Sequence, residues 1–171
     1  ALYIGKGEII EAVGKGVQRR LLDEALEGEA VAAAFRYPDL QDEQARKIGE
    51  FAEAQVGKNY NHVGVLLQAP FAIERRVCEL PVIPAMVREF CIRGVAAIQL
   101  GVVSEDTFFC SQFVLEAYRV AGAAITDADP RWISPADILH MREGDVPSLR
   151  VRQQLSYVGH LKYRESVLEN P

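Results

Sequence analysis

Cys110 stands in the stretch TFFCSQFVLEAYRVAG, residues 107–122, at what the pattern makes the first turn of a helix. A thiolate there faces backbone N–H groups that no earlier turn satisfies, and the positive end of the helix dipole, so the position suits a nucleophile. The same helix carries Cys110, Phe113, Val114, Ala117 and Ala121 on one face, and free cysteine is among the most buried residue types. Nucleophile and core packing therefore both fit. Glu11 is the second residue of interest. In GEIIEAV, strand alternation puts Ile9, Glu11 and Val13 on one face and Glu8, Ile10 and Ala12 on the other. A carboxylate between two β-branched residues is either at a solvated edge or paired. Paired with an imidazole, it accepts the far ring N–H and holds the tautomer that a general base needs.

The chain holds three histidines to supply that base. His62 follows YN and precedes VGVLL, His140 ends SPADILH, and His160 lies in YVGHLKY. No two have the i, i+4 spacing of a ligand pair, and each also fits a surface or half-buried histidine. The three cysteines, Cys78, Cys91 and Cys110, form no CxxC and have no metal spacing, so neither metal nor cofactor is expected. Their odd number leaves at least one thiol free unless it pairs with another chain, which leans towards a reducing compartment or a reactive thiol. The glycines of GKGEIIEAVGKG match neither a Walker loop nor GxGxxG in its strand–helix setting, and read as reversals between strands.

The elements that must position these residues follow from periodicity. Ala1–Ile4 and Glu8–Ala12 read as strands joined by GKG, with a further extended piece at Val17–Arg20, a helical turn near Leu21–Leu26 and a strand over Ala30–Arg36. Asp39 precedes a helix that runs to about Val56, with Asp42 suited to its first turn and Gly57 closing it. Ala45, Ile48, Ala52 and Val56 recur along it at helical spacing, with Phe51 beside them. Residues 60–101 show no clear period. The cysteine helix covers Phe109–Val120 and closes at Gly122, and Ser134-Pro135-Ala136-Asp137 has a serine N-cap followed by proline at the first helical position. In the tail, Leu149, Val151 and Leu155 alternate with Arg150, Arg152 and Gln154 as on a strand. Short strands and a few long helices without regular alternation give an α+β fold.

Bulk properties narrow the classes. The 171 residues, 49% hydrophobic and 25% charged, fit one globular domain over residues 1–171 that buries its own core. The formal net charge of -5 lacks the basic stripe of a nucleic-acid binder, so no nucleic-acid partner is expected. The pairs Arg19-Arg20 and Arg75-Arg76 read as solvated side chains at element ends. No run approaches a transmembrane span and no signal peptide is visible. The chain opens with Ala directly in a strand pattern, so an upstream segment is expected to be missing.

Taken together, ALYIGKGEIIEA, GKNYN, FFCSQFVLEAY and SPADIL resemble the circularly permuted NlpC/P60 group of papain-like cysteine hydrolases, especially its YiiX/YaeF-like branch. The resemblance covers most of the chain and is weakest over residues 66–103. It implies a permuted papain-like fold, with a small antiparallel sheet packed against the helix that carries the cysteine. It also implies that Cys110 is the nucleophile, that Glu11 orients the base histidine, and that this histidine belongs one or two positions before Ala1. Three accounts then stand: the histidine lies upstream, or His62, His140 or His160 replaces it, or the domain is catalytically silent. The reaction implied is acyl transfer from an amide or ester through an acyl-enzyme, on a cell-wall peptide or a lipid acyl group. Cys110 N–H is the first oxyanion donor and Tyr3 a candidate for the second. A bacterial protein of the cytoplasm or the cell envelope is expected. A silent interaction module is the rival.

Overall fold

The computed structural model describes residues 1–27, 31–59 and 110–162, together with residues 29, 84, 87, 91 and 108. Three strands, β1 (Leu2–Gly5), β2 (Glu8–Val13) and β3 (Gly16–Leu21), form an antiparallel sheet in the order β1-β2-β3. Both central residues of the first turn, Lys6 and Gly7, have positive φ (54° and 76°). That conformation matches the right-handed twist of the strands on either side, which is why GKG reverses the chain so tightly. Leu2 pairs with Ile10 and Tyr3 with Ile9, while Glu11 pairs with Gln18 on β3. A single turn of helix, α1 (Leu22–Leu26), follows β3 directly.

Beyond it, β4 (Val31–Arg36) pairs antiparallel with β5 (Ser156–Lys162), joining the first quarter of the chain to its last described strand. Helix α2 (Asp42–Gln55) begins where Asp42 was expected to lie, but its cap is Gln41 rather than Asp39. The Gln44 side chain accepts the Gln41 N–H at 3.1 Å, and Asp39 sits further out with φ of 56°. Ile48 and Ala52 are buried as their spacing predicts, whereas Val56 lies beyond the helix and is exposed. Gly57 closes α2 with φ of 91°.

Helix α3 (Cys110–Val120) is the centre of the described fold. Phe113, Ala117 and Ala121 pack with Ile48 and Ala52 of α2 and with Leu2, Ile10 and Ala12 of the sheet. Leu115, on another side of α3, packs with Ile125, Ile133, Met141, Leu149 and Leu155. An isolated helix of this length is marginal in water. Fully burying a side chain such as Phe113 or Leu115 contributes about 1.5–3 kcal/mol each, so packing on two sides decides its stability. At its end Gly122 takes φ of 75° and the Ala123 N–H reaches the Tyr118 carbonyl at 2.9 Å, a Schellman closure.

The serine cap is found as expected at α4 (Pro135–His140). The Ser134 N–H donates to Asp137 Oδ2 at 2.8 Å and the Asp137 N–H donates back to Ser134 Oγ at 3.3 Å. The tail departs from expectation. Leu149 and Leu155 are buried, but no strand carries both. Residues Pro147–Leu149 form a 3-10 turn, Arg150 adopts a left-handed conformation with φ of 48°, and Val151 makes only an isolated bridge to Thr126. The alternation was real, but a turn rather than a strand delivers those side chains to the core. The result is a mixed α+β arrangement with small antiparallel sheets packed against helices.

Candidate functional site

Cys110 is the first residue of α3 and is half-buried, unlike Phe113 and Ala117, which are fully buried. The chain enters α3 through Phe108, whose ring is buried against Phe51 and Phe113 at centroid distances of 6.2 and 6.0 Å. Its backbone N–H donates to the Asn59 carbonyl at 3.4 Å. The same loop after α2 grips the sheet. Gly57 N–H donates to the Val17 carbonyl at 2.9 Å and Val17 N–H donates to the Lys58 carbonyl at 2.8 Å. The GKN part of the GKNYN tract thus ties the start of β3 to the entry of the cysteine helix. Lys58 also holds its ammonium 5.6 Å from the Phe108 ring centroid.

Glu11 is not at a solvated edge. Its side chain is 15% exposed, and the Arg20 Nη1 donates to its Oε1 at 2.9 Å. Ile9 on the same strand face is buried. Arg20 pairs across the sheet with Ile9 and therefore sits diagonally opposite Glu11 on that face. Arg20 was assigned to solvated surface by its sequence alone. The register of β2 against β3 is the signal that locates it, since Glu11 opposite Gln18 puts Arg20 within diagonal reach.

The third component is the start of β1. Leu2 pairs with Ile10, so the antiparallel register carries Ala1 opposite Glu11, and the Ala1 nitrogen lies close enough to Cys110 and Glu11 to interact electrostatically with both. Ala1 itself is exposed. The beginning of β1 is thus a neighbour that Cys110 and Glu11 share, although the two lie far apart along the chain.

The other expected residues lie elsewhere. Tyr3 is 63% exposed and its hydroxyl accepts the Gly7 N–H at 3.1 Å, at the hairpin end of β1. His140 Nδ1 lies 3.2 Å from both carboxylate oxygens of Asp145, and His160 on β5 contacts the Tyr157 hydroxyl. His62 and Cys78 fall outside the described residues. Cys91 is disulfide-bonded and Cys110 is free, in line with the odd number of cysteines. Among the described residues no group of three or more His, Cys, Asp or Glu side chains is arranged to hold a metal ion. No helix among them is long and apolar enough to cross a membrane.

No family model and no solved structure matches the chain. Over 165 residues it is 39% identical to the probable lipoprotein peptidase YaeF of Escherichia coli (strain K12). That alignment takes in 95% of this chain but 60% of YaeF, so the chain spans less than two thirds of its relative's length. At that coverage the aligned part takes in both Glu11 and Cys110. Over that length the chain is a homologue of YaeF, in keeping with the YiiX/YaeF-like branch that its motifs resemble.

Proposed function

We propose that this domain is a cysteine hydrolase or acyltransferase in which Cys110 attacks an amide or ester carbonyl. The observation that carries the reading is the convergence of a half-buried thiol at a helix start, a partly buried carboxylate on β2 and the beginning of β1. A histidine one or two residues before Ala1, on the extension of β1, would stand beside both groups. It would serve as the base, with Glu11 accepting its far ring N–H.

In the proposed reaction the imidazole takes the Cys110 proton and the sulfur bonds to the acyl carbon. The Cys110 backbone N–H meets the tetrahedral oxygen. It is free to do so because the first N–H groups of a helix have no partner within it. Collapse breaks the bond to the amine or alcohol, which leaves with the proton from the imidazolium. Water, deprotonated by the same ring, then attacks the thioester, releases the acid and restores the thiol.

A peptide or a lipid-like acyl group is the proposed substrate. The relative is named a probable lipoprotein peptidase, which favours a peptide and a place at the cell envelope. The Cys91 disulfide fits that place, because such bonds persist in oxidising compartments. The permuted papain-like arrangement is proposed on the same homology, over a single domain that includes residues upstream of Ala1.

The test uses the full protein with its native upstream residues and p-nitrophenyl acetate as a generic acyl donor. Cys110→Ala is expected to lower turnover at least about a thousandfold while the melting temperature stays near that of the parent. Parent-like turnover, or a variant that simply unfolds, would instead support a silent module in which Cys110 only packs.

A further inference from the structure

We propose that Arg20 is a positioning residue that fixes the Glu11 carboxylate so that one oxygen is held and the other faces the histidine; this rests on the hydrolase reading above. Arg20 Nη1 donates to Glu11 Oε1 at 2.9 Å. Its other terminal nitrogen, Nη2, donates to the Glu24 carbonyl in α1 at 2.8 Å. The last carbonyls of a helix have no intrahelical partner, so α1 offers the guanidinium a fixed acceptor close to where β3 ends. The planar guanidinium is thereby pinned between a backbone atom and the carboxylate, which restricts Glu11 to one orientation.

The bonding to Glu11 is one-sided. Arg20 meets Oε1 through a single nitrogen, not through a bidentate fork, and among the described residues no hydrogen bond to Oε2 is formed. A carboxylate used to orient an imidazole needs this arrangement, with one oxygen tethered and the other free to accept. The register that pairs Leu2 with Ile10 also sets Ala1 opposite Glu11, at the start of β1. Lysine at position 20 would keep the charge but lose the planar fork that reaches Glu11 and Glu24 together.

Alkylation of Cys110 by iodoacetamide near neutral pH tests this without a known substrate. The full protein is used and labelling is read by peptide mass spectrometry. Arg20→Gln is expected to slow alkylation of Cys110 about tenfold, and Arg20→Lys to recover part of that loss. In a Glu11→Gln background, Arg20→Gln should add nothing further, because the carboxylate it positions is already gone. Alkylation at the parent rate in Arg20→Gln, or a loss of equal size in the Glu11→Gln background, would overturn the assignment. A parent whose Cys110 reacts no faster than free glutathione would overturn the hydrolase reading itself. If Arg20→Gln does not fold, the comparison of Arg20→Lys with the parent decides, and equal rates there count against the proposal.

Discussion

The Ser111 hydroxyl donates to the Ile133 carbonyl at 2.5 Å, so the residue next to Cys110, the proposed nucleophile, is tied to the segment leading into α4. Ser111 is 1% exposed and lies one position after Cys110. The bond therefore sets the rotation of the first turn of α3, and with it the direction of the sulfur. Ser111→Ala removes it at nearly constant volume. Denaturant unfolding is expected to show a loss of about 1 kcal/mol with an unchanged slope. No change in the midpoint would mean that the bond does not form in solution.

Gly16 and Gly49 should respond to alanine in opposite directions. Gly16 has φ of 110° and a Cβ there would lie 2.5 Å from the Lys58 carbonyl oxygen, the atom that receives the Val17 N–H. Gly16→Ala strains the backbone and pushes apart the contact between β3 and the loop after α2, at a cost of about 1–3 kcal/mol. Gly49 is inside α2, without positive φ, and a Cβ there meets nothing within 4 Å. Gly49→Ala should raise stability by about 0.5–1 kcal/mol. Thermal melts of the two variants check the contrast, and a shared sign would contradict the backbone assignment at one of the two sites.

Asp129 ought to contribute an acid-dependent part of the stability. Burial alone would push its carboxyl up. Hydrogen bonds from the Arg131 side chain and backbone N–H, with the charges of Arg131 and Arg119, outweigh this and hold it below its ordinary value near 3.8. A depressed carboxylate stabilises the fold fully above its unfolded value, and that contribution is lost as pH falls through the lower folded value. Asp129→Asn should therefore be less stable than the parent at pH 6. The gap should narrow from about pH 4 downwards. A gap independent of pH over that range would show that the ion pair with Arg131 does not form.

What was legible in the sequence was whatever local chemistry dictates. The two positive φ values at Lys6 and Gly7 are carried by GKG, and the Ser134 cap by SPAD. The stripe of α3 marked Phe113 and Ala117 as core, and Cys110 came out at the helix start. What was missed depended on partners distant in sequence. Arg20 reads as surface until the register of β2 against β3 sets it beside Glu11. The tail alternation implied a strand, but the left-handed Arg150 interrupts it and the strand begins only at Ser156. The pairing of β4 with β5 joins Val31 to Lys162, and no periodic signal reports such a distant partner.

The proposed reaction passes through a covalent bond between an acyl group and the Cys110 sulfur. The most direct measurement is intact-protein and peptide mass spectrometry of the full protein, acid-quenched during its first turnover of p-nitrophenyl acetate. One acetyl group is expected, on the peptide that contains Cys110, which disappears as the ester is consumed and never forms in Cys110→Ala. Turnover with no adduct on that peptide, or an adduct that persists unchanged after the ester is exhausted, would contradict it.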